Sequence, residues 1–121
     1  MANPALDAFG KLLITKVRDR VINDWRMIID GRMKGDRAKL VRKEFALAGD
    51  KAKDMLAKLL PEIVDTVLHH FLSLVEEEEQ ISLGIRVGKT GVSDLREVSD
   101  GLAGEIYGDK GWIAKFGNDN T

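Results

Sequence analysis

The 121-residue chain contains no cysteine, which excludes disulfides, thiolate nucleophiles and cysteine-ligated zinc sites. It has no run approaching the roughly 20 apolar residues of a membrane-spanning helix, and it does not open on a basic segment followed by an apolar stretch. Its two histidines are adjacent, so few side chains are available to form the nucleophile and base pair of a hydrolytic enzyme. We therefore expect a non-enzymatic, cytoplasmic protein with no cofactor and no membrane contact.

Charge is unevenly distributed behind a formal net charge of -1. Residues 1–58 carry fourteen Lys/Arg against eight Asp/Glu, whereas residues 59–121 carry five against twelve. Such asymmetry creates potentials that steer partners. The basic residues do not share one helical face and have no aromatic residues interleaved, so nucleic-acid binding is not expected, and we interpret them as complementing the chain's own acidic half. These residues are Arg18, Arg20, Arg26, Arg32, Lys34, Arg37, Lys39, Arg42 and Lys43.

The first 31 residues have the pattern of one long helix. Asn3 offers an acceptor for free backbone amides, Pro4 suits the first helical position, and Gly31 provides a stop. About 40 Å of helix is long for one small core, so this helix is expected either to bend or to present part of its length to a partner. Its predicted core stripe comprises Leu6, Phe9, Leu13, Val17, Val21, Trp25 and Ile28.

Two further helical segments are expected, capped by Asp36 and Asp50 and separated by Gly49. Pro61 is then expected to begin a new helix, because proline is tolerated in a first turn. The broad apolar face of this last helix makes it the candidate for the central helix of the fold. Its polar face carries Glu62, Asp65, His69, Ser73 and Glu76.

The pattern changes after residue 79, where alternation from Ile81 to Val87 predicts a strand. A short helix capped by Ser93 is expected next, followed by a hairpin that pairs residues 105–107 with residues 112–116. The predicted fold class is mainly α, with two long helices, shorter helices and a small antiparallel β element near the C-terminus. Residues 1–117 are expected to form a single globular domain and residues 118–121 a frayed tail.

The polar face of the central helix resembles one side of a carboxylate-histidine metal site. Glu62, Asp65 and His69 are three and four residues apart, which brings them onto one helical face. A complete site needs ligands from another element, and the sequence has no further histidine pair or cysteine to supply them. No bound metal is predicted, and a polar face with an Asp65 to His69 pair is the simpler interpretation. A small enzyme or metalloprotein that uses this face stays an alternative.

Two groups of residues are candidates for binding a protein partner. The first is the acidic run Glu76, Glu77, Glu78 and Glu79. Negative charge at a helix C-terminus is locally unfavourable, which favours a role for these glutamates in contacting a partner. The second is Tyr107 and Trp112, since exposed aromatic residues often anchor interfaces. The alternatives are a solvated helix end for the glutamates and core packing for the aromatic residues.

Part of the chain resembles small, mostly uncharacterised bacterial proteins, some of which are grouped with the immunity proteins of toxin systems. The similarity is carried by Val64 to Leu72 (VDTVLHHFL), by Ser99 to Leu102 (SDGL) and by Gly111 to Phe116 (GWIAKF), over roughly the last 60 residues. The resemblance implies a cytosolic protein that binds and blocks a toxin, and it assigns no functional residue.

The sequence therefore predicts a protein-binding module, in its narrower form an immunity protein whose acidic surface neutralises a basic toxin domain. The first alternative is a self-associating structural or regulatory protein, in which the basic half of one copy meets the acidic half of another.

Overall fold

The computed structural model describes residues 3–118 and begins with the long helix that the sequence predicts. Two α-helical parts, α1 (Pro4–Leu13) and α2 (Asp19–Ile29), are joined without a break by one π-helical turn (Ile14–Arg18). The predicted helix start is confirmed, because the side chain of Asn3 accepts hydrogen bonds from two amides of the first turn at 2.9 and 3.1 Å.

The π-helical turn changes which side chains face the core. A uniform helix would bury Val17 and Val21, yet these are 43% and 37% exposed, whereas Arg18 and Ile22 are only 1% and 2% exposed. The predicted core stripe is therefore wrong at Val17 and Val21, whereas Trp25 is partly buried against the cluster that contains Ile22. A π turn holds one extra residue, and here the buried face moves one position along the chain.

Two helices follow, α3 (Asp36–Ala48) and α4 (Asp50–Glu77), and Gly49 between them has φ of +92°. The prediction that Asp36 and Asp50 cap these helices is wrong. The capping positions belong to glycines without side-chain hydrogen bonds, and each aspartate is the first helical residue. A negative charge in the first turn still interacts favourably with the free amides of that helix end.

Helix α4 runs through Pro61 instead of beginning there, so the predicted break is wrong. Proline removes the amide that would bond the Ala57 carbonyl, at a cost of about 3 kcal/mol. Leu60 and Val64, on either side of the proline, are buried against Ile22 of α2. Packing of an apolar face supplies most of a helix's stability in proteins, and we infer that it offsets the lost bond. The result is one helix of 28 residues, about 42 Å long.

The chain after α4 forms a short antiparallel hairpin, with strands β1 (Ile85–Val87) and β2 (Thr90–Val92). Val87 lies opposite Thr90, and the turn between them uses Gly88 at φ of +61°. A glycine at positive φ is the usual requirement of a two-residue hairpin loop. The predicted strand is present, but it is confined to the end of the alternating stretch.

The predicted hairpin between residues 105–107 and 112–116 is wrong. Residues Ala103–Ile106 form a 3-10 turn, and Trp112–Phe116 form the short helix α5. Another 3-10 turn, Leu95–Val98, stands where a short helix was predicted, but the capping side chain belongs to Asp94 and not to Ser93. Of the predicted tail, residues 119–121 lie outside the described residues.

Two apolar clusters hold the helices together, and they differ in size. The main cluster joins α1 and the second half of α4 to the C-terminal turns, around Ile14, Leu72 and Trp112. The smaller one joins α2 to the first half of α4 through Ile22, Leu60 and Val64. The long N-terminal helix and α4 therefore pack antiparallel, and their α2 end has the thinner core. The predicted fold class, mainly α with a small antiparallel β element near the C-terminus, is confirmed.

Candidate functional site: an apolar helical face with an acidic end

The acidic run lies at the C-terminal end of α4, where the sequence places it. The Glu76 carboxylate accepts a hydrogen bond from the backbone amide of Leu102, which ties the helix end to the C-terminal segment. Glu77, Glu78 and Glu79 are exposed. Glu76 therefore has a structural contact, and the three glutamates after it form the acidic surface.

The loop beyond the acidic surface is fixed by Arg96. Its guanidinium donates to the carbonyl oxygens of Glu78 at 3.1 Å and Ile81 at 2.9 Å, and it also bonds both carboxylate oxygens of Asp94. The hydrogen bonds from Arg96 lower the pKa of Asp94, and the same pairing raises the pKa of Arg96. The backbone that carries the acidic surface is therefore held in one position by charge-assisted bonds.

The candidate metal-binding face of α4 is used for an ion pair. Asp65 accepts hydrogen bonds from Arg18 at 2.7 and 3.5 Å, and Arg18 also contacts Asp19 at 3.1 Å. Arg18 is the residue that the π turn directs inward, and its pairing with Asp65 agrees with the interpretation that the basic residues complement the acidic half of the chain. Within residues 3–118 no group of three or more His, Asp or Glu side chains is arranged to hold a metal ion. The structure therefore brings Asp65 to an arginine, while Glu62 is exposed.

Tyr107 and His69 meet on this same side of α4. Their ring centroids are 5.8 Å apart, and the Nδ1 atom of His69 is buried without a hydrogen-bond partner among the described residues. Tyr107 is 49% exposed, and partial desolvation, followed by the negative charge of Asp65, raises its pKa. Of the two predicted aromatic anchors, Tyr107 thus remains accessible to a partner.

The other predicted anchor, Trp112, belongs to the core. It is 2% exposed, packs edge to face against Phe9 at a centroid distance of 5.8 Å, and lies directly over Gly10. The prediction that Trp112 contacts a partner is therefore wrong. The core-packing alternative holds instead, because a large aromatic side chain closes the gap between α1 and α5.

Sequence reasoning missed an apolar groove between α2 and the first half of α4. The groove has a volume of about 400 Å³ and is lined by apolar side chains throughout: Val17, Val21, Trp25, Leu56, Leu60, Ile63, Val64, Val67 and Leu68. Its valines and isoleucine occupy positions that sequence periodicity assigns to a core. The signal available in the sequence was the excess width of the apolar stripe on α4, which exceeds what one neighbouring helix can cover.

The groove continues along α4 as an exposed ridge. Ile63, Val67, Phe71 and Leu74 are 51%, 63%, 42% and 46% exposed, and they follow one another at spacings of three and four residues. Groove and ridge together form one surface, which we call the apolar face. At one end it reaches Glu77 to Glu79, and at the other end it reaches the lysines near the N-terminus of α4. Its members are the nine groove residues together with Leu59, Phe71 and Leu74.

Comparison of the chain with protein-family models, with curated proteins and with solved structures gives no match. The immunity-protein resemblance therefore stays a prediction. Across residues 3–118, none of the helices combines the length and the apolar character needed to cross a membrane.

Proposed function

We propose that this chain is a non-enzymatic protein-binding module that docks its partner through the apolar face. The observation that carries the proposal is the groove between α2 and α4, whose lining side chains are all apolar. Exposed apolar patches of several hundred Å² on a folded chain typically mark interaction sites. The unequal cores support it further, since the α2 end of the helix pair has the smaller cluster beneath its apolar face.

The size of the apolar face is comparable with that of a standard protein interface. The half-exposed side chains along it leave an apolar area on the order of 600 Å², close to the roughly 800 Å² that each partner contributes to a standard interface. At about 25 cal/mol per Å², its burial contributes about 15 kcal/mol before the costs of association, which are themselves about 4–15 kcal/mol. The net affinity then depends on how well the partner fits the groove.

Site-specific photo-crosslinking in the native host tests this proposal. A benzophenone amino acid at position 67 should form adducts with protein, because Val67 lies in the middle of the apolar face and is 63% exposed. The matched control is the same amino acid at position 87, since Val87 is an exposed valine on the hairpin. Equal adduct yields at both positions, or none at position 67, would rule the docking surface out.

The narrower function, neutralisation of a basic toxin domain, rests on the acidic surface. Three exposed glutamates at one helix end attract a basic partner over about a Debye length, and such attraction raises association rates. The test is reversal of Glu77, Glu78 and Glu79 to lysine, with Glu76 left intact because it bonds the Leu102 amide. The toxin proposal requires partner affinity and its salt dependence to fall, and it fails if both are unchanged.

A further inference from the structure

The two ends of α4 differ in charge, and this difference bears on what covers the apolar face. Residues 26–58, which include α3 and the start of α4, carry ten Lys/Arg against five Asp/Glu. Residues 59–85, which include the rest of α4, carry six Asp/Glu and no Lys/Arg. A partner that lies along the whole face therefore needs an acidic end beside the lysines of α4 and a basic end beside its glutamates.

A second copy of this chain, turned end for end, has that charge distribution. An antiparallel arrangement places the acidic end of each α4 beside the basic end of the other, whereas a parallel arrangement places like charges together. A two-fold axis across α4 makes both favourable contacts at once, since each copy presents the same surface to the other.

The residue pattern of α4 is self-complementary about such an axis. Eight positions recur at alternating steps of four and three, which is the spacing of a helix-helix seam. Seven of them lie in α4 and span about 32 Å, and the eighth is Glu78, the extended residue that follows the helix. A two-fold axis between Asp65 and Thr66 sets each of these positions in one copy opposite another of them in the second copy. The two members of each opposed pair are equally far along the chain from the axis, one before it and one after it. The seam is Lys53, Ala57, Leu60, Val64, Val67, Phe71, Leu74 and Glu78.

The shapes of the two halves of the face also correspond. In the first half, Leu60 and Val64 are 5% and 8% exposed and lie among the lining of the open groove, while in the second half Phe71 and Leu74 stand on the exposed ridge. The two-fold axis sets Phe71 of one copy opposite Leu60 of the other, so each ridge enters the partner's groove. Two helix pairs joined in this way have the layout of a four-helix bundle.

From this groove, ridge and charge pattern we infer that the partner on the apolar face is a second copy of this chain, bound antiparallel about a two-fold axis near the middle of α4. The inference rests on the proposed function, since it names the occupant of the same surface. Lys53 of each copy faces Glu78 of the other, at both ends of the seam.

Sedimentation velocity over a range of protein concentrations tests the inference. The wild-type chain should sediment at twice its monomer mass at tens of micromolar and dissociate on dilution. Val67→Glu should raise the dissociation constant at least about 100-fold, because the two-fold axis brings both new carboxylates into the apolar seam. Val87→Glu, an equally apolar-to-acidic change on the hairpin, should leave it unchanged. A wild-type monomer at all concentrations, or a dimer indifferent to Val67→Glu, overturns the inference.

A charge exchange tests the antiparallel register without touching the apolar side chains. Lys53→Glu and Glu78→Lys should each weaken the dimer about tenfold, since each sets like charges together at both ends of the seam. The double variant should return to the wild-type dissociation constant. A double variant no stronger than the weaker single variant overturns the proposed register. Circular dichroism of each variant confirms that the fold is retained.

The outcomes separate this inference from the proposed function. A purified chain that stays monomeric, together with adducts to another protein at position 67 in the host, would overturn the second copy and support the binding module. A monomeric chain with no adducts at position 67 would overturn both.

Discussion

The contact between Gly10 and Trp112 gives a quantitative test of how the main core is packed. Gly10 lies in α1, where replacement by alanine would normally stabilise a helix by about 1 kcal/mol. A Cβ atom at this position would lie 2.4 Å from two carbons of the Trp112 indole, against the about 3.5–4.0 Å of an ordinary contact. The indole is 2% exposed and has to move by about 1 Å within a filled core.

We expect Gly10→Ala to destabilise the protein by about 2 kcal/mol. Overpacking of this kind costs about 3 kcal/mol at the upper end of the known range, and the gain in helix propensity returns about 1 kcal/mol. For a domain of this length, the loss lowers Tm by about 8 °C. Thermal unfolding followed by circular dichroism measures it, with both proteins at the same concentration.

The matched control is Gly104→Ala, because a Cβ atom there meets no other atom within 4 Å among the described residues and Gly104 does not have positive φ. Its free energy of unfolding should stay within about 0.5 kcal/mol of the wild type. If Gly10→Ala unfolds at the wild-type temperature or above it, the close packing of Trp112 on α1 is refuted.

Three further predictions concern the charged and titratable groups. Asp65→Ala removes one ion-pair partner of buried Arg18 and should lower the free energy of unfolding by about 3 kcal/mol in urea titrations. Glu62→Ala on the exposed face should have little effect, and equal losses in the two variants would contradict the role of the pair. Asp94→Asn should reduce Tm near pH 6, and the reduction should shrink as the pH falls below the ordinary aspartate pKa of about 4, because the lowered pKa of the folded state contributes stability only while the carboxylate stays ionised. Tm profiles of the two proteins that stay parallel across this pH range would refute the prediction. The pKa of Tyr107 should lie above the ordinary tyrosine value in an ultraviolet titration and should fall in Asp65→Asn, since the negative charge of Asp65 contributes to the shift; no change would remove that contribution.

Helix content and the position of the acidic run followed directly from the sequence. Asn3 and the periodic apolar residues after it act locally, through one cap and one face, so the start of the long helix was predictable. The acidic run was likewise placed at the end of a long helix, because Glu76 to Glu79 follow the last apolar residue of that helix.

The errors arise where distant contacts override local preference. Pro61 signals a helix start by itself, but burial of its neighbours Leu60 and Val64 against α2 favours one continuous helix. The Gly-rich segment before Trp112 suggests a hairpin. In the structure the Trp112 indole packs against Gly10 of α1, and residues Trp112–Phe116 form the helix α5 instead. Neither contact is visible in local periodicity.

The apolar face was missed for a related reason. Val17 and Val21 have the spacing of core residues, and only the π-helical turn moves them out of the core and Arg18 into it. Nothing in the local residue types distinguishes that turn from ordinary helix. A row of apolar residues with the spacing of a core can therefore be exposed when a π-helical turn shifts the buried face of the helix by one residue.

The most direct test of pairing through the apolar face uses the absence of native cysteine. Val67→Cys introduces a single thiol in the middle of the apolar face, and Val87→Cys introduces one on the hairpin as a control. The quantity to measure is the rate of maleimide labelling as a function of protein concentration. Burial against a second copy predicts that the thiol at position 67 is protected at high concentration and becomes reactive on dilution, while the control reacts at a constant rate. Equal, concentration-independent rates at both positions would contradict it.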